Sequence, residues 1–146
     1  MSTQAMTARR SAAGKSADLL RITLRIDGWA CAGLGVVLLA GCKLLSDPLG
    51  LPTTWSVALG IVILGIAAGI AFIVRHERTP SGPAAAVIAV NSLSFVGFLA
   101  LAFTDVVPLT GLGTAFMVLT AVVVGLFADV EFVALRRARA AAAVRV

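Results

Sequence analysis

The sequence predicts an all-α fold, a bundle of four antiparallel transmembrane helices, and three observations carry that prediction. Apolar residues make up 60% of the 146-residue chain and charged residues only 13%, an imbalance that a soluble domain of this size could not hide without large exposed patches. The apolar residues fall into four runs, each with the ~20 residues a helix needs to cross a ~30 Å hydrocarbon core. Within each run they occupy all sides, without the alternation of barrel strands. The net charge of +5 gathers at the ends of the runs, so it reads as orientation in a membrane and not as affinity for nucleic acid.

Residues 1–17 are rich in Ser, Ala, Thr and basic residues with no apolar period, and are expected to form a disordered cytoplasmic tail. A four-span domain then covers residues 18–139. Helix is expected from near Ser16, an N-cap candidate with Asp18 in the first turn. Arg21 and Arg25 lie on one face and can snorkel toward lipid phosphates. The first span is read over 24–45, and the loop SDPLGLP follows, with Pro48, Gly50 and Pro52 as breakers. The second span is read over 54–74, with Trp55 suited to the outer interface, and Arg75, His76, Glu77 and Arg78 mark the return to water. The third span, 84–103, follows the polar turn TPSGP. Asp105, Pro108, Gly111 and Gly113 shape the next loop. The fourth span, 112–135, ends at Arg136, Arg137 and Arg139, and 140–146 is a second cytoplasmic tail. Of the 12 Arg and Lys residues, only Lys43 falls on the far side, so the positive-inside rule places both termini in the cytoplasm, with the chain in the inner (cell) membrane.

Cys31 and Cys42 sit on one predicted helix about 16 Å apart by helical rise, too far to bridge each other. With His76 the only histidine and no C-x-x-C pair, no metal site and no cofactor are expected. Leu39-Ala40-Gly41-Cys42 has the form of a lipobox behind a basic, then apolar, segment. Processing there would leave Cys42 lipidated and three spans. The preferred reading keeps the chain intact, because the preceding basic region is long and no soluble domain would follow.

The two hairpins look alike. Asp27-Gly28-Trp29 followed by Gly33 has a counterpart in Asn91-Ser92-Leu93 followed by Gly97, and each hairpin has an outer-loop Asp (Asp47, Asp105) and ends in Arg (Arg75, Arg136). Two spans per unit would make parallel repeats about an axis along the membrane normal. The competing reading is that any two Ala/Val/Leu/Gly hairpins align this well.

Polar groups in hydrocarbon are costly and mark candidate sites. Asn91 falls about 12 Å into the third span, where a hydrogen bond to a neighbouring helix is worth ~1 kcal/mol. Asp129 falls roughly 10 Å inside the fourth span. Its face continues through Gly125, Ala121 and Thr114, a small, weakly polar stripe expected to face the bundle interior. Glu131 lies about 200° around the helix from Asp129 and is expected nearer the interface, snorkelling or paired with a basic residue. Asp27 is an ordinary interfacial acid if the membrane begins near Arg25. If the repeat holds, it shares the depth of Asn91, and Asp27, Asn91 and Asp129 form one binding cluster in which a carboxyl is protonated or paired with an arginine. In the second span Gly65-Ile66-Ala67-Ala68-Gly69 is a GxxxG, read equally as packing within one chain or as a dimer contact. His76 follows on the same face as a surface histidine.

From Arg21 to Arg137 the chain resembles small four-helix integral membrane proteins of unknown function from high-GC bacteria, on the strength of Arg25-Ile26-Asp27, LLAGCKLLSDPLGLP, Ile88-Ala89-Val90-Asn91 and Gly113-Thr114-Ala115-Phe116. A looser similarity is to the DoxX-like group through Gly41-Cys42-Lys43-Leu44-Leu45 before a Pro/Gly loop, with a departure in the missing acid of the second span. The resemblance implies four spans and cytoplasmic termini and carries over no activity.

Two functions follow as expectations. The first is an accessory or scaffold subunit that packs in the lipid bilayer against itself, as a homo-oligomer, or against a larger membrane complex. The second is a small proton-linked transporter or channel using Asp27, Asn91 and Asp129. An enzyme is not expected, because no Ser/His/Asp or Cys/His arrangement is available and the outer loops are short.

Overall fold

The computed structural model describes residues 3–75 and 81–143. Over these residues the chain forms five helices and no strand: α1 (Thr3–Ala40), α2 (Cys42–Leu49), α3 (Thr53–Arg75), α4 (Ser81–Phe103) and α5 (Gly111–Ala143). Four stretches are long and apolar enough to cross a membrane, Asp18–Ala40, Thr53–Arg75, Gly82–Phe103 and Gly111–Ala140. The all-α bundle expected of a multi-pass membrane protein is therefore the observed architecture. Trp29 is 79% exposed and Leu93 73%, as suits side chains whose solvent is lipid. His76, Glu77 and Arg78 lie outside the described residues.

Two element boundaries differ from the sequence reading. Helix begins at Thr3 and not near Ser16, because the Gln, Ala, Met, Arg and Lys residues of the first segment are all strong helix formers. The first span stops at Ala40 and not at residue 45. There Gly41 takes φ −92° and ψ 3°, bending the chain while its N–H still reaches the Val37 carbonyl at 2.9 Å. In place of the expected loop, α2 runs through Pro48 in its last turn. It ends at Gly50 in the left-handed region, φ 63°. The Gly50 N–H donates to Asp47 O at 3.4 Å and the Leu51 N–H to Ser46 O at 3.1 Å, the two bonds that close a helix at a left-handed glycine.

Helix α1 packs on both α3 and α5, and α4 packs on α5, whereas α3 and α4 barely touch although they are consecutive. The bundle is thus two hairpins, α1/α3 and α4/α5, joined through α1 and α5. The α1/α3 crossing depends on glycine on both sides. A Cβ at Gly35 would stand 3.1 Å from the Gly60 carbonyl oxygen, and a Cβ at Gly60 3.1 Å from that of Gly35. Small residues at such a crossing let backbones approach closely in lipid. The Ser56 hydroxyl, fully buried beside it, donates across to Leu38 O at 2.9 Å. The GxxxG glycines play no such part: Gly65 and Gly69 are exposed, and a Cβ on either meets nothing within 4 Å. The reading of that motif as packing within one chain is corrected, since the inward face of α3 runs through Gly60, Ile63, Ala67 and Ile70.

The outer ends of the two hairpins are fastened to each other. Thr110 N donates to Leu49 O at 3.0 Å, and the Thr110 hydroxyl donates to Pro48 O at 2.6 Å. The same hydroxyl accepts from Gly113 N at 3.1 Å, so Thr110 also caps the start of α5. Two glycines make room for this seam. A Cβ on Gly113 would overlap Leu49 O, and one on Gly50 would overlap Pro108 O and approach Thr110 N.

Burial repeats along the chain. Leu20, Thr23, Asp27 and Leu38 of α1 are buried, and so are Ala84, Val87, Asn91 and Ala102 of α4, at the spacing of 64 that separates Asp27 from Asn91. The same spacing carries the buried Ser56, Ala67 and Ile70 of α3 onto the buried Thr120, Glu131 and Ala134 of α5. Both hairpins therefore present the same positions to the core, as two parallel repeats would. The core divides into two apolar clusters. One gathers Leu38, Leu51, Ile63, Phe98, Met117 and Ala121 toward the outer seam. The other gathers Leu20, Leu24, Ile70, Val87, Ala134 and Leu135 toward the end that carries the termini.

Candidate functional site

Between the two apolar clusters lies a polar layer built from three helices. Asp27 of α1 is 1% exposed, Asn91 of α4 2% and Glu131 of α5 0%. Each stands nine residues inside its span from the end bearing the termini, counted from Asp18, Gly82 and Ala140. That is about 13 Å of helical rise for all three, close to the middle of a ~30 Å hydrocarbon core. The shared depth follows from the helix starts, and the shared orientation from the repeat of burial.

A single amide group holds the layer together. Asn91 Nδ2 donates to Asp27 Oδ2 at 2.9 Å and to Glu131 Oε2 at 3.3 Å. One turn along α1, the Cys31 thiol donates to Asp27 Oδ1 at 3.7 Å, a weak bond. The remaining Glu131 oxygen, Oε1, is buried without a hydrogen-bond partner. Among the described residues, the hydrogen bonds to this pair come from Asn91 and Cys31 and not from an arginine or lysine. The closest basic residue along α1 on the inward side, Arg21, is engaged elsewhere, its Nη2 donating to Val74 O at 3.1 Å.

Two carboxyl groups facing one donor deep in a bundle are electrostatically incomplete. Taking even one carboxylate out of water costs several kcal/mol, roughly, unless a partner charge or full hydrogen bonding offsets it. One amide cannot satisfy four carboxyl oxygens. The layer has room in its chemistry for one more positive charge, and the orphaned Oε1 is where a donor or cation would be received. Groups of three or more His, Cys, Asp or Glu residues that could hold a metal ion are absent among the described residues. Cys31 and Cys42 are both free thiols.

The sequence left Asp27 either at the interface or, if the repeat holds, beside Asn91, and the structure brings Asp27 and Asn91 into contact. It corrects the third member. Asp129 is exposed and faces outward, and Glu131, expected near the interface, is fully buried. The reason is helical phase. The inward face of α5 runs through Met117, Ala121, Ala128, Glu131 and Leu135. At about 100° per residue Glu131 falls roughly 45° from the centre of that face and Asp129 roughly 115° from it. The stripe assigned to Asp129 belongs partly to the true interior. Ala121 is fully buried, Thr114 is half-buried, and a Cβ on Gly125 would stand 3.0 Å from the Phe95 ring. The stripe and Asp129 diverge because each step of four residues drifts about 40° around the helix. Comparison with protein-family models, with curated proteins and with solved structures found no match to this chain.

Proposed function

We propose that the chain is a small multi-pass membrane protein that takes up a single positive charge, a proton or an alkali cation, at Asp27, Asn91 and Glu131 inside its helix bundle. The observation that carries this reading is the buried carboxyl pair bridged by one amide, with Glu131 Oε1 left unpaired. A purely structural core at that depth would gain more from apolar residues, since replacing buried ionic groups by well-packed hydrophobic ones is often stabilising. Ionisable residues inside spans that face the bundle interior commonly mark ion pathways or proton relays. On this reading Asn91 fixes the two carboxyls so that one incoming charge serves both. Uptake and release would alter the electrostatics at the contact of α1, α4 and α5, which is a means of linking cation occupancy to helix movement. The membrane is the inner membrane, with both termini cytoplasmic, because the basic residues crowd that end.

A second reading, an accessory subunit of a larger membrane assembly or homo-oligomer, rests on a different observation. Asp129 points outward from the fourth span, and an acid facing lipid is expensive unless a partner helix covers it. The outward Gly65 and Gly69 offer a second close-packing face. The two readings are compatible.

Labelling with a hydrophobic carbodiimide tests cation uptake. The reagent enters the bilayer and modifies a protonated carboxyl. Peptide mapping is expected to find an adduct on Glu131 or Asp27 that is suppressed by raising the pH, by adding Na⁺, or by both. Absence of labelling at both residues at every pH and Na⁺ concentration would overturn the proposal.

A further inference from the structure

On the outside of the α1/α3 hairpin, away from the carboxyl layer, lies a groove of about 570 Å³. Its floor is made of the buried Leu24, Ala67, Ile70 and Val74, its walls carry the small residues Gly28, Ala32, Ala68 and Ala71, and its rim includes the exposed Trp29. At one end stand Arg21, Arg25 and Arg75. The groove reaches eleven residues down α1, from Arg21 to Ala32, and eleven residues along α3, from Arg75 to Leu64. That is about 16 Å on each helix, half of a ~30 Å hydrocarbon core. One end is thus strongly basic and at the membrane surface, and the other is apolar and buried in one leaflet.

We infer that this groove binds an anionic phospholipid, with the phosphate at Arg21, Arg25 and Arg75 and an acyl chain laid between the small-residue walls. Charge complementarity selects the occupant. The arginines come from two helices, and their long side chains can snorkel to the phosphate level from backbone positions up to about 10 Å inside the span, where basic pockets between helices suit anionic headgroups. Arg21 is already positioned. Its Nη2 is tied to Val74 O at the end of α3, which holds the guanidinium at the basic end of the groove. Arg25 and Arg75 are exposed, free to close over a headgroup. The apolar half accounts for the lipid's tail, since Gly28, Ala32, Ala68 and Ala71 on its walls leave a channel that larger side chains would narrow. This inference does not depend on the carboxyl layer.

The test uses the full chain, purified with its lipids exchanged for defined mixtures and analysed by native mass spectrometry. Wild type is expected to retain one phosphatidylglycerol in preference to phosphatidylcholine. R25Q/R75Q should lose roughly 30-fold of that preference, since each basic residue near the surface is worth about a factor of five toward anionic lipid. Arg21 is left intact because it holds α1 to α3. A68L keeps every charge and narrows the groove from its wall, at a position that is exposed and tolerant of a larger side chain. It is expected to lose the retained lipid. Equal retention of the two lipids by wild type, a preference unmoved by R25Q/R75Q, or full retention by A68L would each overturn the inference.

Discussion

Asn91→Leu is expected to destabilise the bundle by about 2–4 kcal/mol, the range for leaving buried charged groups without their donor. The amide of Asn91 is the one group that touches both Asp27 and Glu131, and leucine fills its space without offering a hydrogen. Glu131→Gln should cost far less and be close to neutral, because it removes a negative charge while keeping an oxygen to accept from Asn91. The two effects are coupled. Once Asp27 and Glu131 are both replaced by leucine, Asn91→Leu should lose most of its cost, since the groups it orphans are gone. Reversible unfolding in mixed detergent micelles, followed by circular dichroism, measures each difference. Equal stability of Asn91→Leu and the unmutated protein would mean that the amide does not hold the layer.

Gly113→Ala should be nearly as damaging, at about 2–4 kcal/mol by overpacking together with loss of the hydrogen bonds around it. Its methyl group would overlap the Leu49 carbonyl oxygen, which accepts from Thr110. The neighbour that must yield is backbone, held by α2 on one side and by Thr110 on the other, so no side-chain rotation relieves the clash. Gly50→Ala adds a backbone penalty of roughly 1–2 kcal/mol at its positive φ, because φ there is 63°. Gly97→Ala provides the contrast. Gly97 is exposed in mid-helix with nothing within 4 Å of a new Cβ, so alanine should be neutral or stabilising by up to about 1 kcal/mol. The same unfolding assay ranks the three. If Gly113→Ala and Gly97→Ala behaved alike, the seam between the outer ends would not be the close contact described.

The number of spans was legible because twenty apolar residues in a row leave few alternatives, whereas the ends of the first span were not. The depth of Asn91 was legible for a similar reason, since counting residues from a breaker measures distance along a helix, whereas Asp27, with no breaker before it, could be read either at the interface or at the depth of Asn91. Which side of a helix a residue faces was harder to read. In α5 nearly every position is apolar, so hydrophobic periodicity carries little phase information, and the small residues Thr114, Ala121 and Gly125 pointed toward Asp129. A better signal was present. Glu131 has Ala128 three residues before it and Ala134 three after, both buried, a pair that leaves space for a side chain crossing to another helix. Gly65 and Gly69 misled for the opposite reason: the motif reports what can approach closely, and Gly35 and Gly60 make the approach without forming the motif. The seam at Thr110 depends on contacts with Pro48 and Leu49, far away in sequence, which no local pattern announces.

The most direct measurement is an acid-minus-alkaline infrared difference spectrum of the chain in liposomes, with Glu131→Gln, Asp27→Asn and Asp129→Asn compared against the unmutated protein. Protonation of a carboxyl inside the bundle yields a C=O band displaced from that of a water-exposed acid. The account predicts that this band is lost or moved in Glu131→Gln and in Asp27→Asn, because the two share Asn91, and unchanged in Asp129→Asn. A band abolished by Asp129→Asn and indifferent to Glu131→Gln would contradict it.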